Sequence, residues 1–561
     1  MPNSFRQRAA EVVGRDARAI DDRTGLGRVL TKALRKTFPD HWSFLLGEVA
    51  LYSFIILILT GIFLTFFFQP GMATVYYHGK YVPLQGVRMS EAYQSVLNIT
   101  FDVKGGELIR EIHHWAALLF VASIAIHMMR IFFTGAFRKP REINWVIGVM
   151  MFALAAFEGF LGYSLPDDAL SGTGLRIADG VILSIPIIGT YLSFFLFGGQ
   201  YPGHVIVGRL YIMHVLLIPG LLLALITAHL MLIWLQGHTE WPGKRERDNT
   251  EVGVPLYPVF MAKTGALFFF TFAVLAMAGA FLQINPVWLW GPYTPVIDSA
   301  FSQPDWYIGF LEGSLRIMPN WTTVGLGHTV AWNVFLPGVV LPASFFIGAA
   351  IYPALEAWIT GDRRYHQVLD RPRNMPARTA FGAAVVAMGV DILMAGSDDV
   401  ISRFLNIPLY DTQKTFAYGF YVLPLAAFVV AWQTCLALQR RDRRAIAAGV
   451  EMGIVEELAD GSFAVLSRPP TDEEHARLHT RRPDELLATV PRHLVPLPTP
   501  RRAAAQIRTR LNRFYITTRL ETPSSYGQPG EDSAPPEGYV EPEEASEGGY
   551  LADGQRLTDL D

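Results

Sequence analysis

Eight apolar segments constrain the fold of this chain more than any other feature of its sequence. A helix needs roughly 20 apolar residues to cross the hydrocarbon core of a membrane. Segments of about that length lie near 46–68, 113–134, 146–166, 211–236, 263–283, 330–353, 378–396 and 415–438. Only 17% of the 561 residues are charged, which is typical of membrane proteins. The sequence therefore predicts an all-α integral membrane protein with eight transmembrane helices.

Basic residues are concentrated in alternate connections between these segments and after the last one. They are Arg138, Lys139, Arg141, Lys244, Arg245, Arg247, Arg363, Arg364, Arg371, Arg373, Arg440, Arg441, Arg443 and Arg444. Because cytoplasmic loops carry an excess of Lys and Arg, we expect both termini to lie in the cytoplasm. Residues 1–45 are too polar for a cleaved signal peptide, and we expect a cytoplasmic segment there with an amphipathic helix.

The remaining chain divides by composition. Residues 46–240 are predicted to form a four-helix bundle that includes the connection 167–210, and residues 241–438 a second membrane half with helices five to eight. The long connections 69–112, 167–210 and 284–326 are expected to be structured. Residues 439–520 are predicted to form a cytoplasmic extension with a hairpin turning at Asp460–Gly461, and 521–561 a disordered tail rich in Pro, Glu, Ser and Gly.

Four histidines in two of the predicted membrane helices form a regular pattern. His113 and His127 lie 14 residues apart in helix two, and His214 and His229 lie 15 residues apart in helix four. At 3.6 residues per turn, each couple lies roughly on one helix face, about 21 Å apart along the axis. Helices two and four run parallel, so His113 is expected at the depth of His214, and His127 at that of His229.

Two opposed imidazole pairs at two depths predict two bis-histidine heme sites, since ionisable groups inside a membrane are costly and need a partner or a function. With both axial positions filled, such a site is suited to electron transfer. Zinc is a poorer alternative because two histidines leave it under-coordinated, and a hydrogen-bonded core histidine is the alternative for any one of the four. The single cysteine, Cys435, excludes an iron–sulfur cluster held by cysteines of this chain.

Other residues accompany this pattern. His114 points about 100° away from the face of His127, so we expect it to pack or to form a hydrogen bond. Glycines in helices one and three repeat the 14-residue spacing and would let a macrocycle approach, although helix packing also explains them; they are Gly47, Gly61, Gly148 and Gly162. Three arginines near helix ends could pair with heme propionates or extend to the membrane surface; they are Arg110, Arg130 and Arg209.

Five motifs within residues 30–438 carry a family resemblance. They are LTGIF at 59–63, GELIREIH at 106–113, GYSLP at 162–166, GRLYIMH at 208–214 and PDWY at 304–307. The sequence resembles cytochrome b of the quinol:cytochrome c reductases, whose Pro-Glu-Trp-Tyr signature has Asp in place of Glu here. The resemblance implies that His113 and His214 bind a low-potential heme near the outer face, and that His127 and His229 bind a high-potential heme near the cytoplasm.

The resemblance also implies an outer quinol-oxidation pocket formed by Gly174 and by Pro304, Asp305, Trp306 and Tyr307. Asp305 is the expected proton acceptor, with a pKa raised by burial, and Tyr307 its hydrogen-bonding neighbour; a helix cap is the alternative role for Asp305. At the inner quinone site the family often has a histidine nearer the fourth ligand and Lys-Asp at the start of helix five. This chain has His238 and Lys263–Thr264, which leaves that site unassigned.

The Asp of PDWY, the PDD after GYSL and the long carboxy-terminal tail resemble the actinobacterial branch, which implies a menaquinol-oxidising, proton-translocating subunit in a bacterial cell membrane. The implied partners are a Rieske iron–sulfur subunit, a diheme c-type cytochrome subunit, a cytochrome c oxidase in a supercomplex, and a second copy of the chain; no nucleic acid is expected. A diheme anchor of a dehydrogenase is one alternative, but it would not explain helices five to eight or PDWY. A transporter or channel whose histidines relay protons is the other, and a visible spectrum would distinguish it by the absence of b-type bands.

Overall fold

The computed structural model describes residues 33–242, 248–296, 303–325, 327–447, 450–457, 462–468 and 499–520, together with isolated positions between 23 and 31. Within these ranges the chain is mainly helical, and its strands pair into short two-stranded ribbons. The predicted all-α membrane class is confirmed.

In the described chain, eight helices are long and apolar enough to cross a membrane, as predicted. Helices one to eight span Trp42–Thr65, Gly106–Thr134, Glu142–Tyr163, Ile206–Gln236, Leu256–Phe281, Trp332–Thr360, Pro376–Ala395 and Leu409–Arg444. Most extend beyond the predicted apolar segment, because polar first and last turns continue a helix without lengthening its apolar run. Helix two begins at Gly106, ahead of the predicted start at 113.

Successive helices run in opposite directions, so their connections alternate between two sides. We call the side that holds residues 66–105, 164–205, 282–296, 303–325, 327–331 and 396–408 the loop side. The opposite side, with residues 135–141, 237–242, 248–255 and 361–375, is the basic side. Helices two and four both start on the loop side and therefore run parallel, as is needed for His113 to lie at the depth of His214 and His127 at that of His229.

Helices one to four are arranged as two pairs around a cavity. Helix one packs along helix two and helix three along helix four. Their shared apolar cluster includes Phe54, Phe120, Val121, Ala155, Leu210 and Leu222. Helix five packs against helices one and two, helix six against helix three, and helix seven against helix eight. Between membrane helices such packing is stabilised by van der Waals contact, since lipid is as apolar as the helix surface.

The long loop-side connections are structured, as expected. They contain helices at Glu91–Phe101, Ala169–Leu183, Gly189–Phe197 and Trp306–Ile317. Two of these helices begin at a capping side chain: Ser90 accepts the N–H of Tyr93, and Asp168 accepts the N–H of Ser171 at 3.0 Å. The helix Trp306–Ile317 packs against helix seven, which fixes the direction of the PDWY segment that precedes it.

Three short antiparallel ribbons brace the connections. Thr74–Tyr76 pairs with Arg88–Ser90, and Thr322–Gly325 pairs with His328–Ala331. On the basic side Thr37–Phe38 pairs with Val254–Pro255, with Thr37 opposite Pro255. The last ribbon joins the start of the chain to the start of helix five.

Beyond the membrane, the helical run of helix eight continues to Ala447. The predicted hairpin is confirmed by the antiparallel strands Val450–Glu457 and Phe463–Arg468, while its turn at Asp460–Gly461 lies outside the described residues. A helix at Thr499–Ile516 was not predicted, because its many arginines hide its apolar positions. The predicted amino-terminal helix and the disordered tail at 521–561 also lie outside the described residues.

A buried charge cluster joins helices six and seven on the basic side. The fully buried Arg378 donates to the two carboxylate oxygens of Glu356 at 2.9 and 2.5 Å and to Asp370 at 3.0 Å. Arg138 also pairs with Asp370, at 3.1 Å. Burial alone raises the pKa of Asp370, but these two guanidinium groups outweigh it and hold that pKa well below its usual range. The cluster is thus ionised and internally paired.

The segment 499–520 docks beside this cluster. Its Tyr515 hydroxyl lies 3.1 Å from that of Tyr352, and Asn512 donates to the carbonyl of Ile359 at 2.9 Å. Arg519 pairs with Asp362 at 3.2 Å. The end of the described chain is therefore fastened to the basic-side end of helix six.

Candidate functional site

The two loop-side histidines face each other across the cavity. The ring centroids of His113 and His214 are 6.2 Å apart, with the rings nearly perpendicular. Two imidazoles that share one metal ion, with bonds of about 2 Å, place their centroids about 6 Å apart. The observed separation therefore fits a single iron held between them.

The outer nitrogens of these two rings have different partners. His113 Nδ1 lies 2.9 Å from the Thr60 hydroxyl on helix one. His214 Nδ1 lies 2.9 Å from Glu158 Oε1 on helix three. In both residues Nδ1 faces another helix, as expected when Nε2 is the nitrogen left for a metal.

The second histidine couple lies deeper, toward the basic side. The couple consists of His127 on helix two and His229 on helix four, 14 and 15 residues beyond the loop-side couple. Their Nδ1 atoms are buried and lack a hydrogen-bond partner among the described residues. Since Nε2 is the nitrogen left for a metal, the match of this couple to a bound group rests on its spacing from the loop-side couple.

The 15-residue step in helix four is explained by its backbone. Residues Met213–Leu217 form a π-helical turn, which accommodates one residue more than an α-helical turn. The step from His214 to His229 thus becomes equivalent to the 14-residue step of helix two. The residual rotation of about 60° predicted for an ideal α-helix is wrong for this reason.

Three of the four predicted glycines lie directly against the histidine rings. A Cβ at Gly61 would lie 3.3 Å from His113 Cε1, and one at Gly47 would lie 3.2 Å from His127 Cε1. At Gly162 it would lie 2.7 Å from His214 Cε1. A Cβ at Gly148 would meet nothing within 4 Å. Side chains at the first three positions would displace the rings, so the glycines keep this space open.

A cavity of about 420 Å³ connects the loop-side histidines with the PDWY segment. Its polar lining includes His113, His114, His214, Glu158 and Asp305, and most of the remaining wall is apolar. In the described residues no three His, Cys, Asp or Glu side chains are arranged to hold a metal ion on their own. The site thus fits a flat group with axial histidines better than zinc.

The three predicted arginines have separate environments. Arg110 pairs with Glu111 at 2.6 Å and keeps a buried, unpartnered Nε. Arg130 packs 4.1 Å from the ring centre of Phe44, and its Nε and Nη2 are buried without partners in the described chain. These orphaned donors fit heme propionates.

Arg209 does not join this site in the structure. Its guanidinium donates to the carbonyl of Leu196 at 2.9 Å, and also to that of Phe195. It therefore satisfies loop carbonyls, and the predicted propionate contact finds no support in its position.

Asp305 is held between two polar partners at the end of the cavity. His114 Nε2 lies 2.8 Å from Asp305 Oδ1, and the Tyr307 hydroxyl donates to Oδ2 at 2.7 Å. Asp305 occupies the N-cap position of Trp306–Ile317 but makes no capping hydrogen bond. The alternative capping role is therefore wrong for its side chain, and the expected hydrogen bonds of Tyr307 and His114 are confirmed.

The predicted rise in the pKa of Asp305 is also wrong. Burial does raise this pKa, but the His114 imidazole and the Tyr307 hydroxyl outweigh it, and the net pKa lies below the ordinary value. Burial and the neighbouring carboxylate raise the pKa of Tyr307 well above its usual value. At neutral pH the pair is thus a carboxylate and a neutral phenol.

The other predicted pocket residues lie at different distances from the cavity. Tyr307 is buried behind Asp305, with 4% of its surface exposed, and does not line the cavity itself. Gly174 packs against Tyr163, since a Cβ there would lie 3.1 Å from the Tyr163 hydroxyl, and Tyr163 does line the cavity. Pro304 and Trp306 flank Asp305 without lining this space.

Two functional candidates were missed or left without a role by the sequence reasoning. His114 was given no partner because Asp305 is 191 residues away in sequence. Glu158 was not singled out, although a carboxylate in an apolar membrane segment is the same signal that identified the histidines. Its contact with His214 could not be seen without the fold.

The residues at the unassigned inner site lie on the basic side. Lys263 forms an ion pair with Asp40 at 2.7 Å. The ring of His238 packs against Phe38, with centroids 4.5 Å apart. Burial and nearby cations lower the pKa of His238 to about 4, so this imidazole is neutral at physiological pH.

Known proteins resemble the chain over most of its length. Residues 118–292 match the family described as "Cytochrome b(N-terminal)/b6/petB". A cytochrome bc1 complex cytochrome b subunit from Streptomyces coelicolor is 50% identical over 460 residues, covering 82% of this chain and 84% of the relative. The subunit of the same description from Mycobacterium leprae is 48% identical over 466 residues, with the same coverage.

A solved structure supports the fold. A chain of a hyperthermophilic respiratory Complex III superposes with a TM-score of 0.56 at 22% sequence identity. The match covers 74% of this chain and 98% of the other. At that level of identity the comparison supports a common arrangement of helices.

Proposed function

The chain belongs to the cytochrome b subunits of cytochrome bc1 complexes, and from this premise we propose that it oxidises quinol on the loop side of a bacterial cell membrane. Membership implies b-type heme and interaction with quinone. We further propose two non-covalent hemes, one between His113 and His214 and one between His127 and His229. Both termini are then cytoplasmic, and the loop side faces outward.

One observation carries the proposal: the cavity that holds the His113 and His214 rings also holds the Asp305 carboxylate. A redox centre and a proton acceptor thus adjoin one apolar space. Oxidation of a quinol releases protons and electrons together, so both kinds of acceptor must be reachable from one bound molecule. An electron relay alone needs no such carboxylate.

The role of the polar residues follows from their hydrogen bonds. The Asp305 carboxylate accepts a quinol hydroxyl hydrogen and then the proton itself, while Tyr307 holds Oδ2 and His114 holds Oδ1. His114 Nε2 also lies 3.0 Å from Oδ2, so the two partners together orient the carboxylate before substrate enters. Gly174 supports this pocket through Tyr163, and Pro304 and Trp306 set the chain direction around Asp305.

Hemes held by the two histidine couples would supply two one-electron carriers, so that one electron of each quinol could reach an inner quinone while an iron–sulfur partner takes the other. Arg110 and Arg130 would pair with their propionates through the orphaned guanidinium nitrogens. Gly47, Gly61, Gly148 and Gly162 would leave space beside the macrocycles. Because the two electrons of each quinol take different routes, protons are released on the loop side and taken up on the basic side, and the reaction is coupled to proton translocation.

The proposed partners complete the reaction. The only cysteine of the chain, Cys435, is buried in helix eight, which supports a separate Rieske subunit as the holder of an iron–sulfur cluster. A diheme c-type cytochrome subunit and a terminal oxidase would receive the electrons, in an assembly with two copies of this chain. The proposed substrate is menaquinol, as the resemblance of the sequence to the actinobacterial branch implies.

The test is a visible redox spectrum and a quinol-oxidation assay on the complex purified in mild detergent, with its subunits identified by mass spectrometry. We expect two reduced b-type heme components, menaquinol turnover, and a co-purifying iron–sulfur subunit. A protein without b-type bands would be a transporter. A protein with the bands but without quinol turnover would be a simple electron-relaying anchor, and either result would retire the proposal.

A further inference from the structure

We propose that Glu158 is a positioning residue for His214, and that its carboxylate lowers the reduction potential of the loop-side heme. The inference rests on the proposed heme ligation, and it assigns a function to a carboxylate inside helix three. Intramembrane carboxylates are costly and call for a partner. The partner in this structure is the outer nitrogen of one axial ligand.

Helix three contacts the His214 ring at two points. Glu158 Oε1 lies 2.9 Å from His214 Nδ1, and the two side chains are only 15% and 18% exposed. One turn later, the backbone at Gly162 lies so close that a Cβ would be 2.7 Å from His214 Cε1. Residues four apart share a helix face, so the glycine and the glutamate together determine where the ring can lie.

The His214 ring must rotate slightly before its N–H can form a hydrogen bond with Glu158. In this conformation the N–H of His214 does not point along a hydrogen bond to the carboxylate, and Nδ1 and Glu158 Oε2 are both without such a bond in the described chain. The cavity beside the ring gives it room to rotate. Binding of Nε2 to iron would fix the ring and turn Nδ1–H toward Glu158.

The other three ligands lack this feature. His113 Nδ1 faces the neutral hydroxyl of Thr60. His127 and His229 have no hydrogen-bond partner at Nδ1 among the described residues. A carboxylate therefore faces one ligand of the loop-side heme and, within the described chain, neither ligand of the basic-side heme.

The physical consequence is an asymmetry in redox potential. An imidazole that donates its second N–H to a carboxylate becomes a more basic ligand. A more basic ligand and a nearby negative charge both favour the oxidised, more positive iron. The loop-side heme should thus be harder to reduce, which directs an electron from the quinol pocket onward to the basic-side heme.

The experiment is a spectroelectrochemical titration of both hemes in the purified complex, comparing wild type with E158Q, E158D and D391N. E158Q keeps the shape of the side chain but removes its charge, and E158D keeps the charge on a shorter side chain. D391N is the matched control, because Asp391 is another buried carboxyl in the membrane part but lies in helix seven against Gly419.

In E158Q we expect the loop-side potential to rise and the basic-side potential to stay constant. We expect the ratio of oxidised to reduced loop-side heme at a given potential to fall about tenfold, which is about 59 mV for one electron. E158D should lie between E158Q and wild type, and D391N should change neither potential. If E158Q loses the loop-side heme, the potential of that heme is compared between E158D and wild type instead. We then expect a smaller rise of the loop-side potential.

An unchanged loop-side potential in a variant that retains both hemes would overturn the inference, and so would equal shifts of both potentials. These outcomes leave the proposed quinol oxidation intact. A wild-type complex without two b-type components would instead remove the proposed function itself, so the two failures are distinguishable.

Discussion

The carboxylate of Asp305 accepts a hydrogen bond from His114, whose Nε2 lies 2.8 Å from Oδ1 although the two residues are 191 positions apart in sequence. The contact joins the PDWY segment to helix two one residue away from a proposed heme ligand. It brings the proposed proton acceptor next to the proposed loop-side heme site. It also lowers the pKa of Asp305 despite the burial of the side chain.

Replacing Asp305 with Asn should slow quinol oxidation by about a hundredfold or more, since a positioned acid or base contributes at least that much. Asn has nearly the same shape but cannot take up a proton. The heme spectrum should be unchanged. Steady-state quinol turnover and the reduced-minus-oxidised spectrum of one preparation give both readouts.

The control for this experiment is Asp102→Asn, which removes a partly exposed loop-side carboxyl that pairs with Lys80 at 3.1 Å. It should leave turnover at the wild-type rate. Wild-type turnover in the Asp305 variant, across the pH range, would remove Asp305 from the proton-accepting role.

Replacing His114 with Gln should move the acidic limb of the pH profile to higher pH. Burial raises the pKa of Asp305, and the imidazole is the main opposing influence. Without it the carboxyl remains protonated to a higher pH and cannot accept a proton there. We expect a shift of about one pH unit, equivalent to about 1.4 kcal/mol.

Turnover measured against pH checks this, with heme content recorded in each sample because His114 neighbours His113. His78→Gln is the control, since His78 is an exposed histidine on the same side. A profile of H114Q that overlays the wild type would show that His114 has no influence on the proton acceptor.

The sequence predicted the membrane helices and the histidine couples well, because both depend on regular spacing along one chain. Long apolar runs identify spanning helices, and 14-residue steps place His113 and His127 on one face. The π-helical turn at Met213–Leu217 could not be predicted from the sequence, because it depends on how the backbone accommodates one extra residue. The sign of the pKa shift of Asp305 was missed because burial can be estimated locally, whereas the approach of His114 requires the tertiary fold.

Replacing His214 with Leu should remove one of the two proposed heme potentials and leave the other. The ring of its partner His113 lies 6.2 Å away by centroids, whereas the second heme is proposed to lie between His127 and His229. A redox titration of the visible spectrum resolves the two components. The reciprocal variant His127→Leu should remove the opposite component. Loss of neither component, or of both in each variant, would contradict two independent sites.

Replacing Arg378 with Ala should destabilise the protein by about 3–5 kcal/mol, because it leaves the buried Glu356 carboxylate without a guanidinium partner and leaves Asp370 with Arg138 alone. Glu356 and Asp370 are 5% and 4% exposed in their side chains. A thermal unfolding assay in detergent measures the loss. Arg508→Ala is the control, since Arg508 is only partly buried and donates to one carbonyl, that of Trp358; it should change stability by less than about 1 kcal/mol.

Ending the chain after residue 498 should destabilise the basic-side ends of helices six and seven while sparing the hemes. The truncation removes the hydrogen bond from Asn512 to Ile359 and the contact between Tyr515 and Tyr352. It also removes the ion pair of Arg519 with Asp362, whose side chains are 7% and 6% exposed. At about 1 kcal/mol for each hydrogen bond, the loss should reach about 3 kcal/mol.

A chain ending after residue 520 is the matched control, because it keeps the docked helix Thr499–Ile516 and removes the acidic, proline-rich remainder. The measurement is the melting temperature of the two truncated chains in the same detergent. The chain ending after 520 should melt at the wild-type temperature, and the chain ending after 498 at a lower temperature. Both should keep an unaltered heme spectrum, because the four histidines lie in helices two and four. Equal melting of the two chains would mean that the segment 499–520 adds no stability through these contacts.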